Sequence, residues 1–334
     1  MMNPKVSVIT AVFNLVENGR VESFLKCVES VRAQTYDNIE HLVIDGGSRD
    51  GTVELLAEHA DRGCFRYVSE PDRGVYDAMN KGARQATGEY LVFLNSDDWW
   101  HDSRGVEASV SALEESGADF SFAPSWHYSP DGKKIVRYMP PQIARFFLLM
   151  PFCHQTMFTR KSVFDELGGF REGKFRSAAD FDFILRLCLS GHRHVGVELN
   201  FTAYRLGGLS DVCREVSLQE CAQAMSEAFS RFDPEFYIDD GWTALCKRSV
   251  SERVYRGILD TISPELRRLV EALPRRSCGK DRYLFECGKY FYPVSRRRSY
   301  FLCGFPVLRL YQDPQSMSVV LLGGKIFHRR LKHG

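Results

Sequence analysis

The sequence lacks three features that would have narrowed its class at once: a large net charge, paired cysteine motifs and a long apolar run. A formal charge of +1 on 334 residues argues against a nucleic-acid-binding protein. The ten cysteines are scattered singly, without a CxxC pair, which fits reduced thiols in the cytosol better than a disulfide framework or a zinc site. No apolar run could span a bilayer, and MMNPKVSVIT enters a predicted strand almost at once, so we expect no signal peptide.

The small net charge conceals a gradient along the chain. From Arg253 to Gly334 the sequence has 17 basic and 6 acidic residues, whereas the part before Arg253 has 27 basic and 37 acidic residues. The hydrophobic fraction of 44% and the charged fraction of 26% are those of an ordinary globular protein. The length leaves room for a full α/β domain and an appendage.

Short apolar runs alternate with amphipathic segments through the first hundred residues. Strands are predicted at Val6–Thr10, Ile39–Ile44, Phe65–Val68 and Tyr90–Leu94, with a helix between each pair. Strand–helix units of about 30 residues indicate a parallel sheet with right-handed crossovers. A polar cluster follows each strand, so these clusters should gather along one edge of the sheet, where nucleotides bind in such folds.

The run Tyr90–Leu94 is followed directly by Asn95, Ser96, Asp97 and Asp98. Two carboxylates at the end of a buried strand suit a hard divalent cation, which needs only one or two of them when it also holds a diphosphate. The alternative is a polar turn in which Asp98 caps the next helix.

The alternation weakens beyond Trp100. The pattern predicts a helix near Val106–Glu115, extended pieces at Phe120–Ala123 and Lys134–Met139, and a strand-like stretch at Val195–Arg205. Two more helices are predicted, one opened by Ala178-Ala179-Asp180 and one over Glu215–Phe232.

Five motifs then carry a resemblance to a known family: VSVITAVFN, VIDGGSRDGT, EPDRGVYDAMNKGARQATGEYLVFLNSDD, HQTMFTR and AADFDFILRL. In this order they resemble the family 2 glycosyltransferases with the GT-A fold, over roughly residues 5 to 210. The form with YDAMNKG and LNSDD is similar to members that build bacterial surface polysaccharides. The resemblance implies an α/β domain with a mainly parallel, Rossmann-like central sheet.

The resemblance also implies roles for residues at matching positions. Seven residues would bind the nucleotide sugar: Thr10, Phe13, Asn14, Asp45, Arg73, Lys81 and Asp97. The first three would line the base and ribose pocket, Asp45 would hydrogen-bond the nucleobase, and Arg73 and Lys81 would face the diphosphate. Asp98 would be the ligand of Mn²⁺ or Mg²⁺, with Asp97 on the metal or the ribose. The motif here is SDD, so the first Asp of a strict DXD is absent.

Asp180 matches the catalytic base of the family, and His154 with Gln155 matches an element on the acceptor side. A carboxylate is ionised at neutral pH and can accept the proton of an attacking hydroxyl. Asp182 is the main rival for this role, but residues two apart on a helix point in different directions, so only one of them can face the cleft. Alternatively, Asp180 caps its helix and His154 is an ordinary core histidine.

Other polar features have structural interpretations beside the functional ones. Gly46 and Gly47 permit a tight turn, and Asp50 can cap the helix at Thr52. The pair Trp99-Trp100 either packs in the core or stacks on a sugar. The basic and aromatic tail, RRRSYFLCGFPVLRL, suits the inner face of an anionic membrane or, as the competing use, a homodimer interface.

Together these inferences predict a GT-A catalytic domain at residues 1–211, divided into a nucleotide-sugar half (1–100) and an acceptor half (101–211), and a helical, basic extension at 212–334. The predicted activity is an inverting, metal-dependent transfer of a hexose-type unit from a UDP, GDP or dTDP sugar to a glycan or lipid-linked glycan. The expected location is the cytoplasm, at the inner face of the membrane if the tail binds it. The other hypotheses are a nucleotidyltransferase, which would want a glycine-rich basic loop after the first strand, and a nucleotide-binding module without catalysis.

Overall fold

The computed structural model describes residues 3–236, 249–273, 275–277, 282–285, 296–302, 305–312, 316–321 and 324–330. The chain forms two units, Met1–Phe285 and Glu286–Gly334. Within the described ranges, no helix combines the length and the apolar character that crossing a membrane requires.

The first half of the larger unit alternates strand and helix, as its apolar runs predict. Its elements are β1 (Val6–Val12), α1 (Val21–Arg32), β2 (Ile39–Asp45), α2 (Thr52–Asp61), β3 (Arg66–Ser69), α3 (Val75–Gln85) and β4 (Tyr90–Phe93). The strands β4, β1, β2 and β3 are neighbours in that order and all run parallel. Helix α3 approaches the sheet closely, because a Cβ on Gly82 would come within 2.5 Å of Ile9. A glycine there lets backbone and sheet pack without an intervening side chain.

The second half of the larger unit is less regular. Its elements are β5 (Trp99–Trp100), α4 (Gly105–Ser116), β6 (Phe120–Phe122), β7 (Ser125–Tyr128), β8 (Ile135–Met139), β9 (Phe158–Arg160), α5 (Lys161–Glu166), α6 (Ala179–Leu189), β10 (His194–Gly196), β11 (Thr202–Arg205), α7 (Leu209–Val212) and α8 (Arg214–Ser230). Strands β9, β6 and β10 extend the main sheet to seven strands, in the order β10-β6-β9-β4-β1-β2-β3. A second sheet has the order β5-β11-β7-β8.

The direction of β9 decides where the predicted acceptor-side residues lie. β9 runs antiparallel to both β4 and β6, with Leu91 opposite Thr159. The start of β9 therefore lies beside the carboxyl end of β4. The 3₁₀ turn His154–Thr156, which leads into β9, is thereby brought to the same sheet edge as the Asp97-Asp98 pair.

In this half one predicted strand is divided in the structure, and two further strands were not predicted. The strand-like stretch Val195–Arg205 is two strands in different sheets, β10 and β11. The strands β5 and β7 were not predicted, since a two-residue strand and a mixed polar-aromatic segment carry little periodicity. Both Trp99 and Trp100 are buried in β5, as the packing interpretation expects.

The predicted boundary at residue 211 does not coincide with a break in the structure. Helix α8 packs against α6, and the larger unit continues through α9 (Glu252–Thr261) and α10 (Pro264–Glu271) with β12 (Ser249–Ser251), β13 (Arg275–Ser277) and β14 (Arg282–Phe285). The serines that precede α9 and α10 cap them, since Ser251 and Ser263 accept the N–H of Val254 and Leu266.

The predicted extension contains the helices α8, α9 and α10, but the smaller unit differs from the helical expectation. Its described residues form an antiparallel sheet of β15 (Arg296–Leu302), β16 (Phe305–Gln312), β17 (Ser316–Leu321) and β18 (Gly324–Arg330). Runs such as FPVLRLY and SVVLL are rich in β-branched and aromatic residues, which favour strands. The side chains of the tail predicted to meet a membrane or a second copy lie outside what the structure describes.

Candidate functional site

The loops after β1 and β2 are joined by hydrogen bonds between polar side chains and backbone. The N–H of Asn14 donates to Ser48 at 2.7 Å, and the N–H of Leu15 donates to the Thr52 hydroxyl at 2.8 Å. Asp50 accepts from the N–H groups of Glu17 and Thr52. Asn14 has a left-handed backbone with φ of 46°, which Asn tolerates better than most residues. These contacts hold the loops after β1 and β2 together, so the backbone at this edge of the sheet is fixed.

Asp45, the residue predicted to hydrogen-bond the base, is fully buried at the end of β2. Its Oδ2 accepts from the N–H groups of Gly47 and Ser48 at 3.1 and 2.9 Å, and from the Ser69 hydroxyl at 2.7 Å. Its Oδ1 accepts from the Ser48 hydroxyl. The carboxylate therefore holds the glycine-rich loop against β3. The Asp72 carboxylate, which is more accessible than that of Asp45, lies next to Gly46. A Cβ on Gly46 would come within 2.5 Å of it.

The other residues predicted for the base and ribose pocket separate in the structure. Thr10 faces the interior, where its hydroxyl lies 3.0 Å from Nε2 of His41, so it does not reach the sheet edge. Alternation along β1 explains this, because successive side chains point to opposite faces. Phe13, just past the end of β1, is 56% exposed beside Asn14. Phe13 and Asn14 are thus at the edge and Thr10 is beneath it.

Lys81 and Arg73, the two residues predicted to contact the diphosphate, also differ in how firmly neighbouring groups hold their side chains. The ammonium of Lys81 is held by the Pro71 carbonyl at 2.6 Å and by Glu70 at 3.1 Å. Arg73 is mostly exposed and pairs with Glu172 at 2.9 Å and with Asp77 at 3.5 Å. Because an exposed ion pair contributes little stability, the Arg73 guanidinium can exchange Glu172 for a ligand at small cost.

The Asp97-Asp98 pair is placed at the carboxyl end of β4, as predicted for the edge of a parallel sheet. Asp98 is 1% exposed, and its oxygens accept from Gln155 Nε2 at 2.6 Å, Asn95 Nδ2 at 3.3 Å and the Arg205 N–H at 2.7 Å. Asp97 is only partly buried, near Gly208. Burial raises the pKa of Asp98 well above its ordinary value, and the charge of Asp97 adds to this effect despite the hydrogen bonds.

The neighbouring residues His154 and Gln155 connect the Asp98 end of the site to Asp180. Gln155 is fully buried and donates to Asp98, while Nδ1 of His154 lies 2.8 Å from Oδ2 of Asp180. The dipeptide therefore spans the gap between the strand-end carboxylates and the N-terminal turn of α6. Sequence analysis placed these residues on the acceptor side but did not foresee that they join the two acidic centres.

Asp180 receives three hydrogen bonds that keep it ionised. Besides His154, the Tyr76 hydroxyl donates to its Oδ1 at 2.9 Å and the Phe181 N–H donates at 2.8 Å. Burial tends to raise the pKa of Asp180, but the hydrogen bond and charge of His154 and the Tyr76 hydroxyl outweigh it and lower the pKa below its ordinary value. Sequence analysis missed Tyr76, although it is the tyrosine of the YDAMNKG motif.

Asp182, the rival of Asp180, has a different environment. It is 1% exposed and forms ion pairs with both Arg171 and Arg186. Arg186 also donates to the carbonyls of Leu167 and Gly169 at 2.6 and 2.7 Å. Both oxygens of Asp182 are thus committed to arginines that fix the segment before α6.

Glu220, in α8, is a further residue that sequence analysis missed. Its carboxylate accepts the N–H groups of Arg176, Ser177 and Ala178 at 2.8, 2.7 and 3.0 Å, just before α6 begins. A carboxylate at this point satisfies orphan donors and suits the positive end of the helix dipole. Nothing local in the sequence marks Glu220, because its partners lie more than forty residues away.

Comparison with known proteins agrees with the predicted family. The profile of Glycosyl transferase family 2 matches residues 7–175. An uncharacterized glycosyltransferase of Mycobacterium tuberculosis is 39% identical over 194 residues, 56% of this chain and 70% of that protein.

Two solved structures share the fold at low sequence identity. S. aureus TarS (1–349) in complex with UDP-GlcNAc superposes with a TM-score of 0.50 at 16% identity, covering 80% of this chain and 84% of that one. The mannosyltransferase PcManGT from Pyrobaculum calidifontis, in complex with GDP-Man and Mn²⁺, gives a TM-score of 0.53 at 17% identity, covering 81% and 74%. The α/β sheet with the GT-A topology is therefore confirmed.

Proposed function

This chain belongs to glycosyltransferase family 2, and we propose that it moves a sugar from a nucleoside-diphosphate sugar to an acceptor hydroxyl, with inversion, in the synthesis of a cell-surface polysaccharide. The observation that carries the proposal is the His154-Gln155 dipeptide, which links Asp98 to Asp180 through two short hydrogen bonds. A site with a leaving-group end and a proton-accepting end, held at a fixed separation, suits a direct displacement.

The donor would lie along the carboxyl ends of β1, β2 and β4. Phe13 is exposed enough to contact a base, and Asn14 and Asp72 offer polar groups at the same edge. Arg73 would meet the diphosphate, exchanging Glu172 for it. The likeness to proteins solved in complex with UDP-GlcNAc and GDP-Man supports a nucleotide-sugar donor, and experiment decides between UDP, GDP and dTDP.

The acidic pair fits a divalent cation. Neither Asp97 nor Asp98 forms an ion pair with a lysine or arginine in the described part of the chain, and Asp98 receives hydrogen bonds only from neutral groups. Burial raises the pKa of Asp98, and the charge of Asp97 raises it further. Two adjacent carboxylates supply the oxygen donors that Mn²⁺ and Mg²⁺ prefer, with the diphosphate completing the set. Asp97 and Asp98 would hold the ion, and when bound it would offset the charge that develops on the leaving diphosphate.

Asp180 would accept the proton of the acceptor hydroxyl. As the acceptor oxygen bonds to the anomeric carbon, the bond from that carbon to the phosphate oxygen breaks, and the proton passes to Asp180. The low pKa of Asp180 keeps it ionised at neutral pH, and the hydroxyl becomes acidic only as the new bond forms. His154 and Tyr76 position the carboxylate. Since Asp182 is occupied by two arginines, the geometry favours Asp180 for this role.

The test is a binding and hydrolysis screen. Thermal shifts of the full chain are measured with UDP, GDP and dTDP, each with and without Mn²⁺, followed by release of the nucleotide from matching donor sugars. We expect one nucleotide to stabilise the protein strongly in the presence of Mn²⁺, and Asp97→Asn and Asp98→Asn to remove the metal-dependent part of the shift.

The matched control is Asp165→Asn, an exposed carboxylate on α5 that pairs only with Lys161 among the described residues. It should leave the shifts unchanged. Equal stabilisation by all three nucleotides without metal, together with no release of nucleotide from any donor, would overturn the proposal.

A further inference from the structure

Helix α6, which carries Asp180, begins without a cap of its own. The residue at its cap position is Ala178, whose side chain cannot accept a hydrogen bond. The acceptor comes instead from α8, where Glu220 binds the N–H groups of Arg176, Ser177 and Ala178. Because Ser177 and Ala178 are buried, their N–H groups would lack a partner among the described residues without this carboxylate. Glu220 therefore caps α6 from a distant helix.

The contacts of Asp180 require the first turn of α6 to be accurately placed. Its carboxylate lies 2.8 Å from Nδ1 of His154, in the 3₁₀ turn before β9, and 2.9 Å from the Tyr76 hydroxyl on α3. Neither partner belongs to α6, and hydrogen bonds weaken steeply as their geometry departs from the optimum. Since Asp180 follows Ala178 by two residues, a shift at the start of α6 would move it away from both partners.

Two further contacts bring α8 close to the start of α6. The hydroxyl of Ser217, three residues before Glu220, lies 2.6 Å from that of Ser177. Burial raises the pKa of the Cys221 thiol, and the charges of Asp180 and Glu220 raise it further. The neighbours of Glu220 on α8 thus also lie near the base and the segment before it.

We propose that Glu220 is a positioning residue for the catalytic base, because it fixes the turn of α6 from which Asp180 reaches the acceptor hydroxyl. This role rests on the proposed function. Glu220 acts through the backbone of residues 176–178 and touches no substrate. The other end of this segment is held independently, since Asn80 donates to the Phe170 carbonyl and accepts the Phe170 N–H. Loss of Glu220 should therefore leave nucleotide binding intact.

The experiment is steady-state release of nucleotide by the full chain with Mn²⁺ from UDP-GlcNAc, GDP-mannose and dTDP-glucose. Water replaces the acceptor hydroxyl, and its proton passes to Asp180 in the same way. E220A removes all three hydrogen bonds, so kcat should fall about 100-fold, the cost of a misplacement of about 1 Å. E220Q keeps the size of the side chain and one acceptor oxygen, so the fall should be about tenfold.

A split between kcat and KM distinguishes positioning of the base from general damage. In both variants KM for the donor should change by less than about twofold, because the lost contacts concern the transition state and not the bound nucleotide. The thermal shift that the nucleotide produces with Mn²⁺ should also match that of the native chain. If E220A does not fold, E220Q decides the outcome.

The matched control is E227Q, which makes the same change on the same helix. Glu227 pairs with Arg171 at 3.2 Å and with Lys174 at 2.7 Å, at the far end of the segment from Asp180. Its loss should lower the melting temperature and leave kcat close to native.

Two outcomes would refute the role of Glu220. One is an equal fall of kcat in E220Q and E227Q, which would make Glu220 merely structural. The other is native-like release by E220A and E220Q while D180N loses activity, which would overturn this role alone. No release by the native chain from any of the three donors would instead overturn the proposed function, and this role with it.

Discussion

Buried carboxylates are held differently in the two halves of the larger unit. At the end of β2, Asp45 accepts only from hydroxyls and backbone N–H groups. Around α6, Asp182 is held by two arginines and Asp180 by His154. The first arrangement uses neutral donors, which lie on the adjacent loop and strand. The second uses basic side chains as partners.

This difference shows what each half requires of its charges. In the nucleotide half the sheet and its short loops already fix the backbone, so a carboxylate needs only to complete a turn. In the acceptor half the chain is irregular between β8 and α6, and ion pairs of Asp182 and Asp180 with basic side chains hold it in place. A functional carboxylate there must be kept apart from the structural ones, as Asp180 is from Asp182.

The largest expected effect tests whether Asp180 and Asp182 have separate roles. Asp180→Asn keeps the shape of the side chain but removes its capacity to accept a proton, so we expect transfer to fall roughly 10²–10⁴-fold. Nucleotide affinity, measured by thermal shift with Mn²⁺, should stay close to that of the native chain, because Asp180 is not at the diphosphate end. A variant with near-native turnover would remove Asp180 from the chemistry.

The second prediction concerns the structural member of the pair. Asp182→Asn leaves Arg186 without a carboxylate partner and Arg171 with Glu227 alone, and loss of a buried partner costs about 3–5 kcal/mol. Because both arginines are partly exposed, we expect about 2–3 kcal/mol, seen as a fall in Tm of about 3–5 °C. Asp165→Asn is the control, since its exposed pair with Lys161 should be worth under about 1 kcal/mol. Unchanged stability with lost turnover would exchange the roles of Asp180 and Asp182.

The third and smallest effect tests the nucleotide half, where neutral contacts prevail. Burial lowers the pKa of His41 to about 3, so His41 stays neutral in the folded chain but titrates near pH 6.5 when unfolded. The unfolded state therefore binds more protons below that pH, and stability is lost as the pH falls. The contribution should reach about 2 kcal/mol at pH 5.

The measurement is the free energy of unfolding between pH 7 and pH 5 for the native chain and His41→Asn. The variant should show a shallower decline, whatever its stability at pH 7. Some slope should remain, because burial also lowers the pKa of His127 to about 3. Equal slopes in both proteins would contradict a neutral buried His41.

The fold was predictable from sequence wherever the pattern was repetitive. Strands β1 to β4 and their helices follow from apolar runs of the right length, and the position of Asp97 and Asp98 follows from the rule that strand ends share an edge. The strands β5 and β7 were not predictable in this way. The antiparallel direction of β9 was also hidden, since a short apolar segment does not carry its direction.

The candidate site shows the same division at the level of single residues. The motifs selected Asp98, His154, Gln155 and Asp180, and all four lie in one connected network. They also selected Thr10 and Asp45. In the structure the Thr10 side chain points into the interior, and the Asp45 carboxylate binds the glycine-rich loop. Glu220 has no motif at all, because its role comes from the packing of α8 on α6.

The sequence by itself determined the parallel half-sheet, the family and the order of its acidic motifs, because these depend on periodicity and on residues close together in the chain. Only the tertiary structure decided which carboxylates are bound by other side chains. Whether a side chain has partners depends on segments that are distant in sequence, as Asp180 with Tyr76 and Asp98 with Gln155 both show. The local sequence pattern indicates which chemistry a side chain is capable of. The packing of the chain determines which other groups lie close enough to take part in it.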